Sequence, residues 1–205
     1  PYSFGVNVGK GALKATVVDE NNMPAMDSCA TERRGPLKFS DASPVAAKVT
    51  RANFMNYFDV KTSQTWAIPM TSTSCPSVAV QPLTRDKKAL DSMIDKLTPV
   101  GGTAGQIGLQ WGWYMVSPNW KSALPVASEP VAYGTPDSEK YIILMTDGLF
   151  NSEASGLSSG QIANFPGIAQ KSGRLAMSYC NAIKDQNVKL YTIGFDLKNA
   201  GNPTQ

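Results

Sequence analysis

The hydrophobic pattern is densest between residues 140 and 148, which read Lys-Tyr-Ile-Ile-Leu-Met-Thr-Asp-Gly. Five consecutive apolar residues, Tyr141 to Met145, are too few for an ordinary helix. They show no polar alternation, which predicts a strand covered on both faces. Polarity then changes abruptly, placing Asp147 at the strand's carboxyl end, where ligands bind in open α/β sheets. An Asx-turn that simply ends the strand is the structural alternative. Val188–Phe195, dense in β-formers, predicts a second strand, with Asp196 as a turn residue after it. Between the two, 149–166 reads as a Gly/Ser/Asn loop holding Ser152, Ser155, Ser158 and Ser159. Ile168–Asn187 reads as a helix, with Leu175, Tyr179 and Ile183 at i, i+4 and i+8.

Upstream, Thr84–Leu97 predicts a helix capped by Thr84, with Leu90, Met93, Ile94 and Leu97 on one face and Pro99 ending it. A second helix runs from Thr103 to about Val116, after Gly101-Gly102. Ile107, Trp111, Tyr114 and Met115 share a side, and Trp111 and Trp113 read as packing residues. Gly101, Gly105, Gly108 and Gly112 recur at spacings that let a helix approach a sheet closely. At the start of the chain, residues 2–8 alternate like a strand with one wet face. Leu13–Val18 is its candidate hairpin partner. From about 21 to 76 the pattern dissolves into a loop-rich insertion, with a candidate helix near Pro44–Phe58. The order strand, helix, helix, strand, helix, strand implies crossover connections. The expected class is therefore α/β: one domain over 1–205, with a doubly wound, mostly parallel, Rossmann-like sheet flanked by helices.

Composition narrows the function classes. The 205 residues are only 17% charged, with a net charge of +3. Thinly spread charge of that size gives no nucleic-acid footprint. There is no histidine, which excludes Ser-His-Asp and Cys-His sites and imidazole metal ligands. With no GxSxG or SxxK either, no catalytic residue is assigned and no enzyme is expected. Three scattered cysteines do not suit zinc, whereas a hard, oxygen-ligated cation remains open. Cys29 and Cys75 lie near the two ends of the insertion. A bridge between them would stabilise by about 4 kcal/mol in the chain-entropy model, leaving Cys180 unpaired. The alternative is three reduced thiols in a cytosolic protein. The chain opens at Pro1 without an initiator Met or signal peptide, so it reads as a fragment whose upstream part is missing.

Gly-Gly-Thr at a helix start and Thr-Asp-Gly at a strand end belong at one rim of such a sheet. A Thr hydroxyl and an Asp carboxylate facing one crevice are suitable donors for Mg²⁺. Here the chain resembles the von Willebrand factor A domain, whose metal-ion-dependent adhesion site combines Asp-x-Ser-x-Ser, a Thr and an Asp. Thr103 matches the Thr, Asp147 the Asp, and Tyr191-Thr-Ile-Gly-Phe195 the strand after the next helix. More closely, it resembles the TadG-type proteins of bacterial tight-adherence (Flp) pilus assembly. Pro1-Tyr-Ser-Phe, Val6-Asn-Val-Gly9, Cys75-Pro76, Pro82-Leu-Thr84, Gly108-Leu-Gln-Trp-Gly-Trp113 and Ser117-Pro118 carry that likeness.

The resemblance implies a protein-binding adhesion module of the cell envelope, extracytoplasmic, with a membrane anchor upstream of this chain. Its partner would be a pilin, a secretion component or a surface ligand. The family's Asp-x-Ser-x-Ser ends a first, central strand that this chain does not contain. Asp41-Ala-Ser43-Pro-Val45 offers only half of it. Two of the five metal-site side chains, Thr103 and Asp147, remain, so Mg²⁺ belongs to the intact domain and is not expected to occupy this fragment. The alternative is a metal-free structural scaffold segment completed by neighbouring subunits.

Overall fold

A computed structural model of the chain describes residues 5–59, 62, 64–98, 101–147, 150–154 and 165–195. Nine strands and three α-helices run through these residues in the order β1 Val6–Asn7, β2 Val17–Val18, β3 Cys29–Ala30, β4 Val49–Thr50, β5 Phe54–Asp59, β6 Gln64–Pro69, α1 Lys87–Ile94, α2 Gly105–Val116, β7 Tyr141–Thr146, β8 Ser152–Glu153, α3 Phe165–Asp185 and β9 Lys189–Gly194. The fold is mixed α/β, and the described strands divide among small sheets. β1 pairs β3 and β6-β5-β8 forms a triplet, all antiparallel, whereas β2–β4 and β7–β9 are parallel. The β7-α3-β9 unit is the parallel crossover that the apolar runs predict.

Helix α2 organises the packing. Every one of its residues except Gly108, Gly112 and Val116 is buried. Ile107, Trp111, Tyr114 and Met115 face a cluster with Val8, Val17, Val49, Met55 and Trp120. Leu109 and Trp113 face a second cluster with Ile142, Tyr179, Ile183 and Val188. A helix apolar nearly all round belongs between two layers. Both predicted packing tryptophans are core residues, each 2% exposed. Tyr114 stacks on Trp120 at 3.9 Å, and the Arg33 guanidinium lies 5.0 Å over Tyr114. That buried guanidinium donates to the carbonyls of Ser40, Ala42 and Ala47, fixing the loop it spans.

Several expectations change. Among the described residues β7 is covered on one face only. Ile142 is buried, whereas Tyr141, Ile143 and Met145 are exposed, because α2 and α3 lie on the same side of the β7–β9 pair. The 44–58 stretch forms β4 and the start of the β5–β6 hairpin instead of a helix. The β-formers Phe54, Tyr57 and Phe58 gain a paired ladder there, which outweighs the helix propensity of Ala46 and Ala47. The insertion is thus not only loop, and its β3 and β5 enter the core. Leu13–Val18 is a short 3-10 turn followed by β2, which pairs β4 and not the chain's first strand. α1 is capped by Asp86, whose carboxylate accepts from Ala89 N–H at 3.1 Å, whereas Thr84 Oγ1 accepts from Asp86 N–H. Cys29 and Cys75 form a disulfide. Cys180 is a half-buried free thiol. No helix among the described residues is long and apolar enough to cross a membrane.

Candidate functional site

The start of α2 is met by residues 150–152, which follow β7. The turn that leads into α2 depends on glycine. Gly101 has φ +92°, a conformation that costs L-residues. A Cβ at Gly102 would collide with Ser152 Oγ and come within 2.8 Å of the Tyr57 ring. A Cβ at Gly105 would run into the Phe150 ring. The segment that follows β7 therefore closes directly over the beginning of α2.

Asn151 is the clamp. Its Oδ1 accepts from Thr103 N–H at 2.8 Å, and its Nδ2 donates to Phe58 C=O at 3.0 Å. Its own N–H and that of Ser152 both donate to Thr103 C=O, at 3.1 and 3.2 Å. Thr103 is thus held through its backbone by residues four and five positions after Asp147. Four residues span at most roughly 15 Å, so Thr103 and Asp147 share one end of the molecule.

The N-cap of α2 is Ala104, with no side-chain cap bond, so the Thr103 hydroxyl does not cap the helix. The Asp147 side chain is exposed, and the residues that an Asx-turn there would use, 148 and 149, lie outside the described residues. Among the described residues no three His, Cys, Asp or Glu side chains converge, so Mg²⁺ held by Thr103 and Asp147 would need water or further oxygens to fill its other positions. Asp41 is no substitute. It is buried, and its Oδ2 accepts from Ser117 Oγ (2.5 Å), Tyr133 OH (2.7 Å) and Asn119 Nδ2 (3.1 Å). Those partners lie beyond the other end of α2, a helix of 12 residues and so about 18 Å long.

A buried polar network supports the rim from below. Gln106 Nε2 donates to Glu32 Oε1 at 3.1 Å and to Ser152 C=O at 3.0 Å, while its Oε1 accepts from Ser172 Oγ at 2.6 Å. Glu32 pairs with Lys38 at 2.6 Å and Glu153 with Lys171 at 2.8 Å. One turn along α2, Gln110 Oε1 accepts from Arg33 N–H at 2.9 Å and Tyr179 OH at 2.5 Å. Gln110 Nε2 donates to Thr31 C=O at 3.2 Å. Two amides on one helix thus tie α3, β8 and residues 31–33, which follow β3, to the helix that begins just after Thr103. Ser152, read from sequence as a loop residue, is buried in β8. Ser155, Ser158, Ser159 and Asp196 lie outside the described residues.

A hollow of about 600 Å³ opens at the opposite end of the β7–β9 pair, lined by Tyr133, Glu139, Lys140, Lys184 and Lys189. Glu139 is already engaged there by Lys189 and the Tyr141 hydroxyl. It is remote from the rim. Comparison with protein-family models, curated proteins and solved structures finds no match for this chain.

Proposed function

We propose that this chain is a von Willebrand factor A-like, TadG-type protein-binding module of the bacterial cell envelope. It acts in Flp-type pilus assembly or tight adherence through the rim that carries Thr103 and Asp147. The observation that carries the reading is the Asn151 clamp. It ties the backbone of the Gly-Gly-Thr turn to the segment that follows the parallel strand β7. The parallel β7-α3-β9 crossover supports the finer fold, a doubly wound sheet. The Cys29–Cys75 disulfide supports an extracytoplasmic location. The partner is a protein: a pilin, a secretion component or a surface ligand. The metal site is degenerate in this chain, with Thr103 and Asp147 as its two remaining donors. Mg²⁺ at this site would need further oxygens beyond these two side chains.

Binding of the purified chain to pilin and pilus-assembly subunits, measured by interferometry with and without 5 mM Mg²⁺, tests this. Asp147→Asn and Thr103→Val are the variants. Saturable binding weakened about tenfold or more by Asp147→Asn is expected. Binding indifferent to both variants, or absent for every subunit, overturns the reading.

A further inference from the structure

Four chemically different groups meet around the carboxamide of Gln106. Its Nε2 donates to Glu32 Oε1 at 3.1 Å and to Ser152 C=O at 3.0 Å, and its Oε1 accepts from Ser172 Oγ at 2.6 Å. The other oxygen of the same carboxylate, Glu32 Oε2, holds the Lys38 ammonium, with Nζ 2.6 Å away. One carboxylate thus keeps a primary amine and a primary amide side by side. The Phe39 ring, with its centroid 5.6 Å from Nζ, steadies the amine. Gln106 and Ser172 are 0% exposed and Glu32 is 2% exposed, whereas the Lys38 side chain keeps 23%. The amide is shut off from water, and the amine reaches it from the partly exposed side.

Each group suits one task in a transamidation. A lysine amine becomes a nucleophile when an adjacent base takes its proton, and Glu32 is in contact for that. A donor aimed at a carbonyl oxygen stabilises the charge that develops there, and the Ser172 hydroxyl is aimed at Gln106 Oε1. With water kept out, hydrolysis of the amide does not compete. Gln110, one turn along, shows what sets Gln106 apart. It has a comparable donor in Tyr179 OH, but its other partners are the Arg33 N–H and Thr31 C=O, neither an amine nor an acid.

We infer that Lys38 and Gln106 become joined by an isopeptide bond that the folded chain forms by itself. Glu32 takes a proton from the Lys38 ammonium, and a swing of the flexible lysine stem brings Nζ to Gln106 Cδ. The new N–C bond forms, and the oxyanion rests on the Ser172 hydroxyl. Glu32 hands its proton to Nε2, the Cδ–Nε2 bond breaks, and that nitrogen leaves as ammonia. Nζ gives up a second proton, by way of Glu32, to the ammonia, so ammonium departs and charge balances. The product is a staple, resistant to reduction, between the insertion and α2. It stands whether or not the rim of Thr103 and Asp147 binds a partner.

Intact mass spectrometry of the purified chain reads the bond directly. The mass should lie about 17 Da, one ammonia, below the value that the sequence and its disulfide require. After reduction and digestion, a branched peptide should join Lys38 to Gln106, with no tryptic cleavage after Lys38 and with Gln110 unmodified. Lys38→Arg keeps the charge beside Glu32 and should restore the full mass, as should Glu32→Gln. Ser172→Ala should lower the joined fraction at least tenfold at a fixed time after synthesis. Circular dichroism checks the folding of each variant, and the wild-type mass decides the matter even where a variant does not fold. Full mass in the folded wild-type chain after prolonged incubation overturns the inference. So does an ammonia loss that survives Lys38→Arg, or one that maps to Lys171 and Asn56, which share the Glu153 carboxylate. A gain of about 1 Da at Gln106 would be hydrolysis by water and overturns it too.

Discussion

The buried amide of Gln110 offers a sharp test of how α2 is held. Its three partners, Arg33 N–H, Tyr179 OH and Thr31 C=O, belong to residues with 0% exposure. Gln110→Leu removes all three bonds and leaves each group without that partner and without water. At about 1–3 kcal/mol per orphaned buried group, the lower end of the sum is roughly 3 kcal/mol. The added apolar burial of leucine returns about 1 kcal/mol, so a net loss of about 2–4 kcal/mol is expected. Tyr179→Phe should cost only about 1 kcal/mol, because Gln110 Oε1 keeps the Arg33 N–H. In the double variant the orphaned phenol no longer exists. The combined loss should therefore fall short of the sum by about 1–2 kcal/mol. Urea unfolding followed by circular dichroism, at unchanged m-value, measures all four corners of the cycle. Additivity within about 0.5 kcal/mol would refute the bond that joins α2 to α3.

The Cys29–Cys75 disulfide closes a loop with a sequence separation of 46, so reduction or a Cys29→Ala/Cys75→Ala double variant should cost about 4 kcal/mol. For a chain of this size that is roughly 8–16 °C in Tm by calorimetry, and a fall of less than about 2 °C would contradict it. The Asp27 carboxyl lies below its ordinary value of 3.8. Burial pushes it up, but the hydrogen bonds from Arg51 and the Cys29 N–H, with the charges of Arg51 and Lys14, outweigh that. A depressed carboxylate stabilises fully above its unfolded value and loses that contribution as pH falls through its folded value. Wild type should therefore lose stability more steeply than Asp27→Asn below about pH 3.8, and parallel acid limbs in urea titrations would count against the pairing.

How far the sequence reveals this molecule depends on the range of the interactions that decide each feature. α2, α3, β7 and β9 were legible because their signals are local and long: helical spacing from Ile107 to Met115 and from Leu175 to Ile183, and two apolar runs. Boundaries slipped where two local signals compete, as when Asp86 and not Thr84 caps α1. In the 44–58 stretch the β-formers from Phe54 onward pair with Gln64–Pro69, a partner that local helix propensity does not reveal. The unbroken apolar run of β7 predicts cover on both faces, but such a run does not say how many layers are present.

At the rim the split is sharper. Thr103 and Asp147 stand out because Gly-Gly-Thr and Thr-Asp-Gly each mark an element's end. Asn151 does not. It is one asparagine in a loop, and its bonds to Thr103 and Phe58 cross 48 and 93 positions. Gln106 and Gln110 did leave a trace: two amides one turn apart on an otherwise apolar helix. A buried amide must be satisfied by something, so such a pair predicts polar partners from elsewhere in the chain. It does not say which. The partners prove to be Glu32, Ser172, Arg33 and Tyr179, drawn from the insertion on one side and α3 on the other. The insertion is therefore part of what holds α2, and with it Thr103, in position. Cutting it down to a short turn would remove Arg33 and Glu32 and loosen the rim even though no rim residue had been touched.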